Sequence, residues 1–303
     1  MLLQLLEIFL NVVIPVFGLV GLGYVAQPRL QLQAQTVSRT AYYLLIPAFV
    51  FNVLSTADAA AALVVQMVGY MLLVQLATAV LAYTAARLLR RPPRMAAAYV
   101  LIAVFGNVGN FGLPLIQFRL GDAALLPATI YFLVIMSSGF VIGVAAASWG
   151  REGGRLGAVL AVFKTPALLA LPPALLLNWL NLETPLLLAR MVQLLAGAMI
   201  PIMLLTLGMQ LASTRQIRLT RDTLIAGGLR LIGGPLLALL LVAPFGLAGV
   251  ERATGIIQAA MPAAVLTAII ALEYDLLPEF VTTTVLFSTL ASLITLTLVL
   301  TLI

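Results

Sequence analysis

The chain contains no cysteine and no histidine. Thiol nucleophiles, disulfides and the usual zinc or copper ligand sets are therefore excluded. Charge is scarce as well: Asp, Glu, Lys and Arg make up 9% of the residues, where a soluble domain carries about 25%. The carboxylates fall almost entirely in short connections. They supply no paired acid and base, and neither break described below holds one that a bare divalent cation would need. An enzyme is thus not expected, nor is any cofactor. The formal net charge of +6 comes from basic residues scattered between apolar segments. That is the pattern of a topology signal, not of a nucleic-acid patch. The apolar stretch 2–26 has no basic leader and carries Glu7 instead, so it reads as a first membrane helix and not as a signal peptide.

What fills the chain is hydrocarbon. Hydrophobic residues make up 63% of it, and the mean hydropathy is +1.16. A membrane-spanning helix needs about 20 mostly apolar residues. Ten segments meet or approach that length: 4–26, 39–56, 62–86, 95–118, 125–148, 165–181, 186–212, 223–245, 253–272 and 279–303. The sixth is short, with an interfacial piece expected over 155–163. The expectation is an all-α, polytopic protein of ten membrane helices, with the lipid bilayer as its first partner. Of the 16 basic residues, 12 lie in or beside the odd-numbered connections: Arg29, Arg39, Arg87, Arg90, Arg91, Arg94, Arg151, Arg155, Lys164, Arg215, Arg218 and Arg221. The positive-inside rule makes those connections cytoplasmic and puts both termini on the other side of the cell membrane.

The fourth segment carries Gly106-Asn107-Val108-Gly109-Asn110-Phe111-Gly112-Leu113-Pro114. In a helix interior glycine costs about 1 kcal/mol against alanine and proline about 3. Proline also removes a donor and clashes with the carbonyl four residues back. Hydrocarbon tolerates such an interruption only where protein or a wet cavity surrounds it. The ninth segment is broken in the same way, at Gln258-Ala259-Ala260-Met261-Pro262-Ala263. Gly109, Gly112, Pro114 and Pro262 are the expected break or hinge positions. Pro47 and Pro201 lie 154 residues apart, and Gly106 and Pro262 lie 156 apart. Two halves, 1–150 and 151–303, each of five helices, must then insert in opposite senses, which is the inverted-repeat plan of secondary transporters.

Two broken helices crossing at mid-membrane bring two half-helix N-termini together. Each carries a partial charge of roughly +0.5 and unsatisfied amides, a place for an anion. Gly106, Asn107, Asn110, Gln258, Met261, Pro262 and Ala263 are the candidate substrate-binding residues. Phe105, Phe111, Leu113, Met261, Val265 and Leu266 are expected to wall the apolar body of the ligand. Asn52, Tyr131, Ser137, Ser138 and Arg230 are candidates for lining the cavity. Arg230, about seven residues into its segment, either snorkels or pairs structurally, or else attracts substrate. Ser137 and Ser138 have the alternative of bonding back to their own helix. Tyr42, Tyr43, Trp149 and Trp179 are placed for interfacial anchoring, and Gly18, Gly21 and Gly23 for close helix packing.

These motifs resemble those of the auxin efflux carrier family over essentially the whole chain. The resemblance is carried by Gln258-Ala259-Ala260-Met261-Pro262 with Leu272-Glu273-Tyr274-Asp275, by the Gly106–Leu115 stretch, by Tyr43-Leu44-Leu45-Ile46-Pro47-Ala48, and by Ile200-Pro201-Ile202-Met203. It implies an efflux carrier for a small organic anion, such as an auxin-like or other carboxylate. It further implies crossing segments 4 and 9, a scaffold of segments 1, 2, 6 and 7 that forms a homodimer, and an elevator-like transport domain of segments 3–5 and 8–10. The chain departs from the plant branch at Gly106-Asn107, where that branch has Pro-Asn, and in its third segment, which lacks the supporting aspartate and lysine. A sodium-coupled carrier of bile-acid-transporter type, and a channel or receptor on the same fold, remain the alternatives.

Overall fold

The computed structural model describes residues 2–148, 164–212 and 219–303. The expected interfacial piece at 155–163, Trp149, and the basic residues Arg151, Arg155, Arg215 and Arg218 lie outside them. Among the described residues every regular element is helical, apart from one isolated antiparallel bridge between Gly106 and Ala263. The protein is all-α.

In chain order the principal helices are α1 (Leu6–Arg29), α2 (Ala34–Ser55), α3 (Ala61–Leu88), α4 (Pro93–Val104), α5 (Leu113–Leu120), α6 (Leu125–Ser148), α7 (Pro166–Trp179), α8 (Leu186–Ala212), α9 (Arg221–Leu241), α10 (Gly249–Ala259), α11 (Val265–Glu273) and α12 (Pro278–Leu302). Among the described residues seven spans, in or overlapping α1, α2, α3, α6, α8, α9 and α12, are long and apolar enough to cross a membrane. α4 and α7 are shorter apolar helices. α4 with α5, and α10 with α11, occupy the fourth and ninth apolar segments and are separated by the two breaks.

Proline shapes four of these helices in one way. Wide π-turns occupy Phe9–Val13, Ala41–Leu45, Val108–Gly112 and Leu229–Gly233. Each is followed at the second residue by a proline: Pro15, Pro47, Pro114 and Pro235. A proline inside a helix donates no hydrogen bond and its ring strikes the carbonyl one turn back. Widening that turn by one residue moves the carbonyl aside and keeps the helix going.

α8 packs along α1 and against α2, and α7 packs on α2; α3 packs with α4, α6 and α9, while α12 packs with α9 and α11. The α1–α8 contact is backbone against backbone. A Cβ on Gly23 would fall on the Leu205 carbonyl, and one on Gly208 would fall on the Val20 carbonyl. Gly18 and Gly21 have nothing within 4 Å. The expectation of close packing is therefore corrected to Gly23 alone of the three, because the other two point away from α8. At one end, Thr220 caps α9 by accepting from the Thr223 amide at 3.2 Å. Beside it, Asp222 accepts from Arg91 Nε at 2.8 Å and from the Tyr99 hydroxyl at 2.6 Å. This ties the α3–α4 turn to the start of α9.

Candidate functional site

The two breaks are hydrogen-bonded to each other. The Asn107 amide donates to the Pro262 carbonyl at 2.7 Å, and the Ala264 amide donates to the Phe105 carbonyl at 2.9 Å. This short two-stranded contact satisfies backbone groups that the interrupted helices would otherwise strand in an apolar interior. The Ala263 amide is taken up by Ser288 Oγ of α12 at 3.1 Å.

Four helix ends meet here. α4 and α10 arrive with their carbonyl ends; the Val108–Gly112 turn leading into α5, and α11, leave with their amide ends. Arg230 lies across the carbonyl ends. Its side chain is buried, 2% exposed, and donates from Nε to Met261 O at 2.7 Å, from Nη1 to Ala103 O at 2.7 Å and from Nη2 to Gln258 O at 3.4 Å. Gln75 of α3 adds a bond from Nε2 to Val104 O at 3.0 Å. The last carbonyls of both half-helices, each end worth roughly −0.5 charge, are thus covered by donors, one of them a full cation. Arg230 does not snorkel: the Leu229–Gly233 turn before Pro235 holds it in the interior.

The amide ends are left facing a cavity of about 180 Å³. Gly106, Asn107, Gly109 and Asn110 line it on one side; Ala264, Val265, Leu266 and Ile269 line it on another. Phe132, Leu133, Met136, Ser137 and Phe140 of α6, Thr165 before α7 with Ala167 and Leu168 of α7, Tyr42 and Ile46 of α2, and Met203 and Gln210 of α8 complete the wall. Asn107 is 4% exposed, and its Nδ2 donor has no hydrogen-bond partner among the described residues. A buried amide donor without a partner costs about 1–3 kcal/mol. It is offset when something in the cavity accepts the bond. No aspartate or glutamate is among the lining residues.

The remaining candidates lie elsewhere. Gln258, Met261, Pro262 and Ala263 are fully buried behind the breaks and do not line the cavity. Gln258 donates from Nε2 to Ala128 O at 3.2 Å, while its Oε1 packs where a Cβ on Gly112 would fall. Gly112, the last residue of the turn, and Pro114, in the first turn of α5, are both buried. Tyr131 donates its hydroxyl to Glu251 O at 3.0 Å and packs against Tyr70, away from the cavity. Ser137 and Ser138 both bond back to their own helix, to Leu133 O and Val134 O. Ser137 still lines the cavity, whereas Ser138 lines an adjoining apolar groove. Asn52 lines a separate cavity near Asn178 and Glu183.

Of the six residues expected to wall the apolar body, only Val265 and Leu266 do so. Phe105 packs edge-on against Phe140, and Phe111 against Phe17, because the breaks turn them into the core. Tyr42 is a lining residue rather than only an interfacial anchor; Tyr43 and Trp179 are exposed, as anchors would be. The sequence reading missed Gln75, Ser288, Met203 and Gln210. A carboxamide in the middle of an apolar span was a usable signal for Gln75. Gln210, near the end of its span, carried a weaker form of the same signal, and Ser288 and Met203 carried none.

Comparison with known proteins gives the family. A family model described as "Membrane transport protein" matches residues 8–148 and 157–300. The chain belongs to that family. This is the auxin efflux carrier family that the sequence motifs resemble, and it makes the chain a multi-pass membrane transporter. An "Uncharacterized transporter" of Methanothermobacter thermautotrophicus is 26% identical over 294 residues, covering 94% of this chain and 95% of that protein. "Auxin efflux carrier component 1" of Arabidopsis thaliana is 33% identical over 117 residues, which is 37% of this chain and 18% of that protein.

Proposed function

We propose that this transporter is a secondary carrier of a small organic anion with an apolar body, such as an auxin-like carboxylate. The observation that carries the proposal is the asymmetry at the breaks. The carbonyl ends of α4 and α10 are covered by Arg230 and Gln75, so the amide ends and the unpartnered Asn107 Nδ2 are what the cavity presents. A carboxylate fits amides and a free amide donor. The side chains of Met203, Phe132, Met136, Val265 and Ile269 suit an aliphatic or aromatic body.

On this reading the fourth and ninth segments are crossing membrane helices, and the chain forms ten helices in two inverted halves. α1, α2, α7 and α8 make a scaffold that pairs with a second copy, and the other helices move against it as an elevator. The cavity lies between the two groups, and the residues that line it from both sides are those an elevator motion would part. It extends from the breaks past Ile269 toward Tyr42 and Gln210. That is the side where the basic connections place the cytoplasm, so the carrier is inward-facing.

Calorimetric titration of purified protein with phenylacetate tests the site. Asn107→Ala is expected to weaken binding about tenfold or more, as a lost bond to a charged group costs roughly 1.5–3 kcal/mol. The neutral amide phenylacetamide is expected to bind weakly to both. Equal affinity of Asn107→Ala and wild type, or of acid and amide, would sink the anion site. Uptake that stops when sodium is withdrawn would move the protein to the sodium-coupled alternative.

A further inference from the structure

The four helix ends at the breaks carry a charge account of their own. Two amide ends contribute roughly +0.5 each and two carbonyl ends roughly −0.5 each. Meeting at one place, they cancel, and helices moved as rigid bodies carry no net charge across a field. Arg230 is what remains. It is the one charged side chain among the described residues that is fully buried, and its partners are three backbone carbonyls and no carboxylate. Guanidinium stays protonated in proteins. Its position is built in: a Cβ on Gly106 would fall on the guanidinium, so only glycine there leaves it room.

We infer that Arg230 sets the charge of the carrier. The empty site bears one net positive charge, and one bound monocarboxylate brings it to zero. Arg230 does not touch the ligand; it is a positioning residue that cancels the carbonyl ends and leaves the amide ends unopposed. The consequence concerns which step feels the membrane potential. With the anion bound, the moving unit is neutral, and its reorientation is insensitive to voltage. The empty unit returns carrying the Arg230 charge, and that step is the voltage-sensitive one. One negative charge is still moved per cycle, because the empty return transfers a positive charge the opposite way. The inference rests on the anion-carrier reading and adds to it the place where voltage acts.

The test is charge displacement in proteoliposomes after a voltage step, with no ligand present. Wild type and Arg230→Lys are expected to give a transient, and saturating phenylacetate is expected to suppress it. Arg230→Gln is expected to lose the empty transient and to gain one only when phenylacetate is added. A purely structural role would change expression or rate but would leave the empty carrier as the state that responds to voltage. Wild-type protein that is silent when empty, or whose empty transient survives in Arg230→Gln, would overturn the inference. If Arg230→Gln does not elute as a monodisperse species, the wild-type comparison of empty with loaded carrier decides alone. Absence of phenylacetate binding in calorimetry counts against the proposed substrate class. The empty-carrier transient still decides the role of Arg230.

Discussion

At the scale of single residues, the site depends on what is absent from position 106 as much as on what stands at 230. Gly106 lies in the short contact with Ala263, and any side chain there must displace the guanidinium from the Ala103 and Met261 carbonyls. Val108 Cγ1 also lies 3.2 Å from the Cβ position, so an added methyl is tight on a second side. Gly106→Ala is therefore expected to destabilise the protein by about 1–3 kcal/mol, the usual cost of overpacking a filled interior, and to weaken phenylacetate binding. Gly228→Ala, where nothing lies within 4 Å of the added methyl, is the matched control, expected to stay within about 0.5 kcal/mol of wild type. Thermal unfolding in detergent of the two variants side by side measures the difference. A Gly106→Ala protein as stable as Gly228→Ala would show that Arg230 has slack in its seat.

At the scale of helices, the breaks were legible because glycine, asparagine and proline are conspicuous in an apolar run. Gly106, Asn107 and Asn110 were legible as site candidates and Gly109 only as a break position, and all four line the cavity. Faces were not legible. A helix that is apolar all round gives no periodic contrast between lipid side and core side. The reading therefore set Phe105 and Phe111 in the cavity wall, and overlooked Met203. Nor were the π-turns legible, since their cause, a proline two residues on, does not by itself distinguish a widened turn from a kink. The α1–α8 contact shows the same limit: three glycines recur in α1, but only Gly23 meets a backbone. Gly208→Leu is expected to separate α1 from α8, because its Cβ would fall on the Val20 carbonyl and lie 2.7 Å from the Tyr24 nitrogen. Neither is a side chain that can swing away. Gly197→Leu, on the open face of α8, is expected to be tolerated. The fraction of each variant that elutes as a single species after extraction reads this out. A well-behaved Gly208→Leu protein would mean that the two helices can part without loss.

At the scale of the whole molecule, orientation is argued from charge and not from contacts, and the proposed inside is the side of the basic connections. The Arg91–Asp222–Tyr99 cluster ties together two turns that the basic asymmetry places on the cytoplasmic side. Such partly buried pairs at a helix start favour the ordered end without fixing which way it faces. Because the chain has no cysteine, a single introduced thiol is the only one present, and accessibility can be read without background. Leu3→Cys and Ile303→Cys are expected to react with a membrane-impermeant maleimide added outside intact cells. Arg90→Cys, in the turn after α3, is expected to react only after the membrane is opened. Ile269→Cys, in the cavity wall between the breaks and Gln210, is expected to behave like Arg90→Cys while the carrier faces inward. It should become shielded when phenylacetate fills the site. Labelling of Arg90→Cys from outside would reverse the orientation. Labelling of Ile303→Cys only from inside, with Leu3→Cys outside, would mean an odd number of crossings and would break the two-halves plan at the short helix α7.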